Sequence, residues 1–338
     1  MKVSKTLLRY ISPEAPREIK LRVAARTEPE SLKLAAEDQM TALFVLSYEK
    51  DGEVAEAARA SFAALDQNFL ISALDKKLDP AVIRKAVDVY RANDAVLTMA
   101  ALNPHVDNDT VCMIAEIGPE EVIALLVEDK KMFLDNPGLL PALKKNPLAP
   151  AHIIDEIKGF MANPASGPAA PEAAEVRGAK AQLVPREMTE EGPDEAPGDK
   201  HNIYSLIKDL SVGQKIKFAL TGNKTAREFL VRSSNKVVVS AVLKNPRITE
   251  DEVLRAASSK NTSDDALRQI GRHNEWMKNY NMKLVMVMNP KTPVSISLKL
   301  LDSIYEKDLA SVAKSKNIPS VLASAARRRL DMKTKKGG

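Results

Sequence analysis

Lys244-Asn245-Pro246-Arg247-Ile248-Thr249-Glu250-Asp251-Glu252, running on into Val253, Leu254 and Ala257, joins a tight turn to a capped helix, and its recurrence decides the fold. The turn returns as Gly222-Asn223-Lys224, Lys260-Asn261-Thr262, Met288-Asn289-Pro290 and Lys316-Asn317-Ile318-Pro319. Successive Asn residues, starting from Asn223, stand 22, 16, 28 and 28 positions apart. A step of 16 holds one helix with its turn and a step of 28 holds two, which is the rhythm of an α-solenoid.

The residues flanking each turn predict the same elements. Thr249 and Glu252 form a capping box, in which the hydroxyl accepts the third amide of the helix and the carboxylate returns to the amide of the cap. Ser211 and Gln214 form a second box before Ile216, Phe218 and Leu220. Thr292-Pro293 reads as a cap followed by Pro at the first helical position, where a missing amide hydrogen costs nothing. Gly222-Asn223 offers the two residue types that best tolerate a left-handed helix end. Two segments carry a competing pattern. Val294, Ile296, Leu298 and Leu300 alternate as a strand would, yet Val294, Leu298 and Leu301 also share one helix face. Val237-Val238-Val239 is a β-branched run assigned to helix by its place in the repeat.

The N-terminal half follows the same grammar. Ser12-Pro13-Glu14 is predicted to open a first helix, residues 29–50 a helix pair, and 53–65 a helix with an Ala57, Ala60 and Ala64 face. Asp79-Pro80 is a cap with Pro at the first position, and Asn103-Pro104, Asn136-Pro137 and Asn146-Pro147 repeat the turn. Between the halves, residues 163–199 contain six Pro and four Gly with few bulky apolar side chains, a composition that cannot offset its chain entropy. The reading is all-α: a helical-repeat module over 1–162, a disordered linker over 163–200, a basic helical-repeat module over 201–332 with its first helix at 202–210, and a basic flexible tail over 333–338.

The chain has 338 residues, 44% of them hydrophobic, enough for two cores, and only 7 Phe, 6 Tyr and 1 Trp, which favours close helix-on-helix packing. No apolar run long enough for a membrane span is present, and the N-terminus lacks the pattern of a signal peptide. Cys112 is the only cysteine, which excludes an internal disulfide and points to a reducing cytoplasm. Residues 201–338 hold 26 Lys and Arg against 12 Asp and Glu, and residues 1–200 hold 24 against 33. The C-terminal half therefore calls for an acidic partner, whether a nucleic acid, an anionic membrane surface, another protein or the chain's own N-terminal half.

Chemistry-bearing motifs are sparse. His105, His152, His201 and His273 lack the spacing of metal ligands, so no metal or cofactor is expected. Thr221-Gly222-Asn223-Lys224-Thr225 lacks the glycines and preceding strand of a phosphate loop. No catalytic constellation stands out, and neither an enzyme nor a small-molecule substrate is expected. Lys224, Arg227, Arg232, Lys236, Lys244, Arg247 and Arg255 fall along consecutive repeats and are candidates for one basic face. Trp276, Lys278 and Tyr280 either form a partner-binding hot spot or, for Trp276, fill the gap between stacked repeats.

Three stretches, residues 211–223, 242–249 and 278–293, resemble an uncharacterised family of bacterial proteins found chiefly in deltaproteobacterial-type genomes, whose members are similar to HEAT and leucine-rich-repeat-variant α-solenoids. The resemblance covers most of 201–330 and, more loosely, 15–160. It implies a two-module solenoid and no activity. The iron-sulfur centre of some leucine-rich-repeat-variant relatives needs a cysteine cluster that a chain with Cys112 alone does not have. The function expected from the sequence is a non-enzymatic scaffold whose basic module meets an acidic protein, with nucleic-acid binding by the same module as the alternative.

Overall fold

The computed structural model describes residues 4–163, 207 and 210–334, and among them every regular element is helical. The chain divides into two compact units, Met1–Val184 and Pro185–Gly338. The division falls inside the predicted linker, and the disorder expected of 163–200 lies, from 164 onward, outside the described residues. The same holds for most of the helix predicted over 202–210.

The first unit contains α1 (Lys5–Ile11), α2 (Arg17–Ala24), α3 (Ala36–Leu46), α4 (Gly52–Ala63), α5 (Gln67–Leu74), α6 (Pro80–Val89), α7 (Asp94–Leu102), α8 (Asn108–Ile117), α9 (Glu120–Glu128), α10 (Lys131–Asp135), α11 (Leu139–Lys145) and α12 (Ala151–Ala162). Each long helix packs against its second neighbour: α3 on α5, α5 on α7, α7 on α9, α6 on α8. Such second-neighbour packing lets an amphipathic helix bury its apolar stripe between the helices of adjacent repeats. Val54, Ala58, Phe62, Leu70, Val82, Ile83 and Val96 are buried in this stack, and the many alanines let the axes approach closely.

The second unit contains α13 (Val212–Thr221), α14 (Lys224–Leu230), α15 (Lys236–Leu243), α16 (Glu250–Ser258), α17 (Asp264–Arg272), α18 (Tyr280–Met288), α19 (Val294–Leu300), α20 (Glu306–Lys314) and α21 (Ser320–Thr334). Again α13 packs on α15, α15 on α17, α16 on α18, α18 on α20 and α19 on α21. Both ambiguous segments are helical. Asn235 accepts from the amides of Val237 and Val238 to start α15 against its β-branched content, and Pro293 leads into α19.

Several local expectations shift. Ser12 closes a helix instead of opening one: the Ser4 hydroxyl accepts the Leu7 amide to start α1, and the Ser12 amide donates to the Leu8 carbonyl. The pair predicted over 29–50 is a single 3-10 turn, Ser31–Lys33, followed by α3. Pro293, not Thr292, occupies the cap position of α19, and Thr292 is buried behind it. Gly222 is not left-handed, with φ −70°. It is required by proximity instead, because a Cβ there would stand 2.5 Å from the Phe218 carbonyl oxygen and 2.9 Å from the Ala226 Cβ. The last helix runs to Thr334, two residues past the predicted end of the module at 332.

Candidate partner-binding surface

At Asn103, Asn146, Asn245 and Asn289 the turn is held by its Asn in a way no local rule predicts. Asn245 is buried, donates from Nδ2 to the Ala219 carbonyl of the preceding repeat at 2.7 Å, and accepts at Oδ1 from the Arg247 amide at 2.8 Å. Asn289 does the same with Ala257, at 2.7 Å, and Ser259, at 3.1 Å, while accepting from Lys291. In the first unit Asn103 reaches Leu74 and Lys76, and Asn146 reaches Ala115 and Gly118. One side chain thus satisfies the exposed carbonyls at the end of one helix and the first amides after the next. The amide of residue Asn+2 is tied down as well, so the side chains of Arg247 and Lys291 leave from fixed points.

These clamps, with two other contacts, sort the turns of the second unit onto two edges. The clamp from Asn245 puts the ends of α13 and α15 together, and that from Asn289 puts together the ends of α16 and α18. The Tyr280 hydroxyl donates to Asp308 at 2.5 Å and accepts from the Tyr305 amide at 3.2 Å, which sets the starts of α18 and α20 side by side. Lys236 and Asp265, 3.0 Å apart, do so for α15 and α17. One edge therefore carries the turns at 231–235, 259–263, 289–293 and 315–319, and the other those at 222–223, 244–249, 273–279 and 301–305.

The seven basic candidates do not form one face. Arg227 is 2% exposed and belongs to the interior, where its guanidinium donates to both carboxylate oxygens of Glu252 and to the Gly222 carbonyl. Glu252 is the capping-box residue of α16, so its carboxylate is fixed in place for this pair. Arg255 turns back to Glu228 at 3.1 Å, across a small cavity of about 60 Å³ that Arg227 and Arg232 also line. Lys224, Lys244 and Arg247 lie on the second edge, among Glu250, Asp251, Glu275 and Glu306.

Arg232 and Lys236 lie on the first edge, and there the structure adds residues the sequence reading did not select. Lys260, Lys291 and Lys316 are exposed, one from each following turn, so that four successive turns present cations. Asp264 and Asp265 are the only acids at these turns and the helix starts that follow them. The signal was present: each of these lysines stands within two residues of a turn Asn. At one end of the row Arg232, Ser233, Phe229, Asn261 and Ile207 line a cleft of about 440 Å³.

Trp276 sits in the 3-10 turn Trp276–Lys278, packed against both α17 and α18, half-buried, with its ring stacked on His273 at 3.8 Å. Tyr280 is a latch between repeats; burial, then its bond to Asp308, pushes its phenol above the ordinary value. Lys278 is exposed and holds Glu275 at 2.7 Å. The Thr221–Thr225 stretch is the turn between α13 and α14, with Asn223 capping through the Ala226 amide. In the first unit Phe44, Tyr48, Pro80, Arg84, Lys85 and Asp88 line an open cleft of about 530 Å³ of mixed charge. No group of three His, Cys, Asp or Glu placed to hold a metal ion occurs among the described residues. None of the described helices is long and apolar enough to cross a membrane.

No protein-family model, no curated protein and no solved structure matches the chain.

Proposed function

We propose that this protein is a non-enzymatic cytoplasmic adaptor that holds an acidic partner protein along the cationic edge of its C-terminal unit. The observation that carries this reading is the row of exposed Arg232, Lys236, Lys260, Lys291 and Lys316 on four successive turns. A stack of repeats extends such a row without needing an enclosed pocket, and at the 289–293 turn the Asn289 clamp presents Lys291 from a fixed base, which lowers the ordering cost of binding there. The kinship to HEAT-like and leucine-rich-repeat-variant solenoids belongs to the same proposal, supported by the second-neighbour packing of both units. A lone Cys112, whose thiol burial pushes up, suits a reducing compartment.

The test uses the full chain as bait, with binding followed against salt. Reversal of the first edge, Arg232→Glu with Lys260→Glu and Lys291→Glu, is expected to abolish capture of the partner. Lys224→Glu with Arg247→Glu on the second edge changes it by no more than about threefold, since those charges sit among acids. Capture that ignores reversal of the first edge removes that edge from the reading. The four turns contain no aromatic residue on which bases could stack, which disfavours single-stranded nucleic acid. Retention of duplex DNA with a steep salt dependence, together with failure to capture any protein, would replace the adaptor by a nucleic-acid-binding protein.

A further inference from the structure

The cationic edge is not uniform along its length. Among the described residues, the exposed large apolar side chains of the second unit are Met288, Val294, Tyr305, Val321 and Met332. Met288 closes α18, Val294 opens α19 and Val321 lies in the first turn of α21, so these three stand at the turns 289–293 and 315–319, 36%, 37% and 55% exposed. None stands at the turns 231–235 and 259–263. Because α19 packs on α21 and both start at this edge, Val294 and Val321 belong to neighbouring turns.

The charges differ along the row as well. Residues 276–301 and 309–330 contain no Asp or Glu, while Lys291, Lys314 and Lys316 are exposed at the same two turns and the end of α20. At the other end Lys236 holds Asp265 at 3.0 Å, with Asp264 beside it. The edge thus offers charge alone over its first two turns and charge mixed with aliphatic surface over its last two. Single exposed aliphatics are ordinary on a protein surface, whereas a group of them rimmed by cations marks a binding surface.

The length of the row selects the kind of ligand. Successive turns stand one helix spacing apart, ~8–10 Å, so four turns run over ~25–30 Å. An extended chain covers that distance in about eight or nine residues. A narrow row with aliphatic side chains at one end fits a linear segment, since a bilayer surface would need them spread across a plane.

We infer that the edge takes an extended acidic peptide segment of this length that ends in aliphatic side chains. Its carboxylates lie on Arg232, Lys236 and Lys260, and its aliphatic end lies on Met288, Val294 and Val321 beside Lys291 and Lys316. The inference rests on the reading of this edge as the partner site, and it gives that site a selectivity that charge alone does not supply: an acidic tract lacking the aliphatic end is held less tightly.

Two measurements on the full chain test it. Fluorescent hexaglutamate extended by Ser-Ser-Ser is compared with the same tract extended by Leu-Val-Leu, placed after the glutamates in one probe and before them in another. One of the Leu-Val-Leu probes is expected to bind about tenfold more tightly than the Ser-Ser-Ser probe. Val294→Ser with Val321→Ser, both at exposed positions, is expected to remove that gain and leave the Ser-Ser-Ser probe unchanged. Equal affinity of all three probes, or a gain that survives the double variant, overturns the inference and leaves the acidic-partner reading standing. Absence of binding by all three overturns that reading. The second measurement puts photo-leucine into the tighter probe, with coupling expected within residues 286–296 or 316–324; coupling confined to 229–236 or to the second edge overturns the inference. Anionic phospholipid vesicles that bind more tightly than every probe, and are lost in the same double variant, would overturn it in favour of a membrane surface.

Discussion

Glu252 serves two partners with one carboxylate. Its Oε2 accepts the Thr249 amide at 2.7 Å to close the capping box, and its Oε1 accepts from Arg227 at 3.0 Å in the interior. Removing one member of a buried pair strands the other, at about 3–5 kcal/mol, whereas replacing both by neutral groups is close to neutral. Arg227→Met is therefore expected to lower the urea midpoint sharply. Adding Glu252→Gln, which still serves the box, is expected to restore most of the loss, and a double-mutant cycle reads the coupling. The box was legible because its two residues are three apart in sequence. The pair was not, because Arg227 and Glu252 are 25 residues apart and their meeting depends on the register of α14 against α16.

The same contrast holds for whole elements. Side-chain caps within a few residues open α13, α15, α16, α17 and α18, α15 in spite of its strand-like content, whereas α19 and α20 begin after Pro293 and Tyr305 without one. What the turn Asn does was hidden, since its acceptor carbonyls lie a full repeat earlier, from Ala257 to Asn289 for example. Asn261 looks like its counterparts in sequence yet is exposed, while buried Thr262 donates to the Ala256 carbonyl. Asn289→Asp, which would turn a donor into an acceptor facing two carbonyls, is expected to cost more than Asn289→Ala. The latter loses about 1–3 kcal/mol for each backbone group left unpaired. Asn261→Ala should stay within about 0.5 kcal/mol. Equal effects at the two positions, measured by thermal unfolding, would contradict the clamp.

For the whole molecule, charge was the feature read most directly from sequence, and its arrangement the least. Counting predicts a basic C-terminal unit; only the alternation of helix direction separates an edge of cations from one where they mingle with acids. In the first unit Glu49, Asp51 and Asp107 are engaged by cations. Lys20, then the Lys50 amide, holds the Glu49 carboxyl below its usual range, and Arg17, then the Val54 amide, does so for Asp51. At Asp107 burial pulls upward but is outweighed by the Thr110 amide and by Arg84, leaving the carboxyl low. Carboxyls depressed in the folded state stabilise it above their unfolded value and lose that contribution as pH falls through the folded one. Stability is thus expected to be level near neutrality and to decline below about pH 4. Asp107→Asn should flatten part of that decline in urea unfolding followed from pH 6 to 3.

The Asn clamps also determine how the C-terminal unit yields to force. Each one bolts a turn only to the repeat before it, so tension applied at the two ends of this unit meets a ladder of separate rungs. Stretching in an optical trap should release length in a staircase of short steps, about two helices at a time. Asn289→Ala should merge two neighbouring steps into one at lower load.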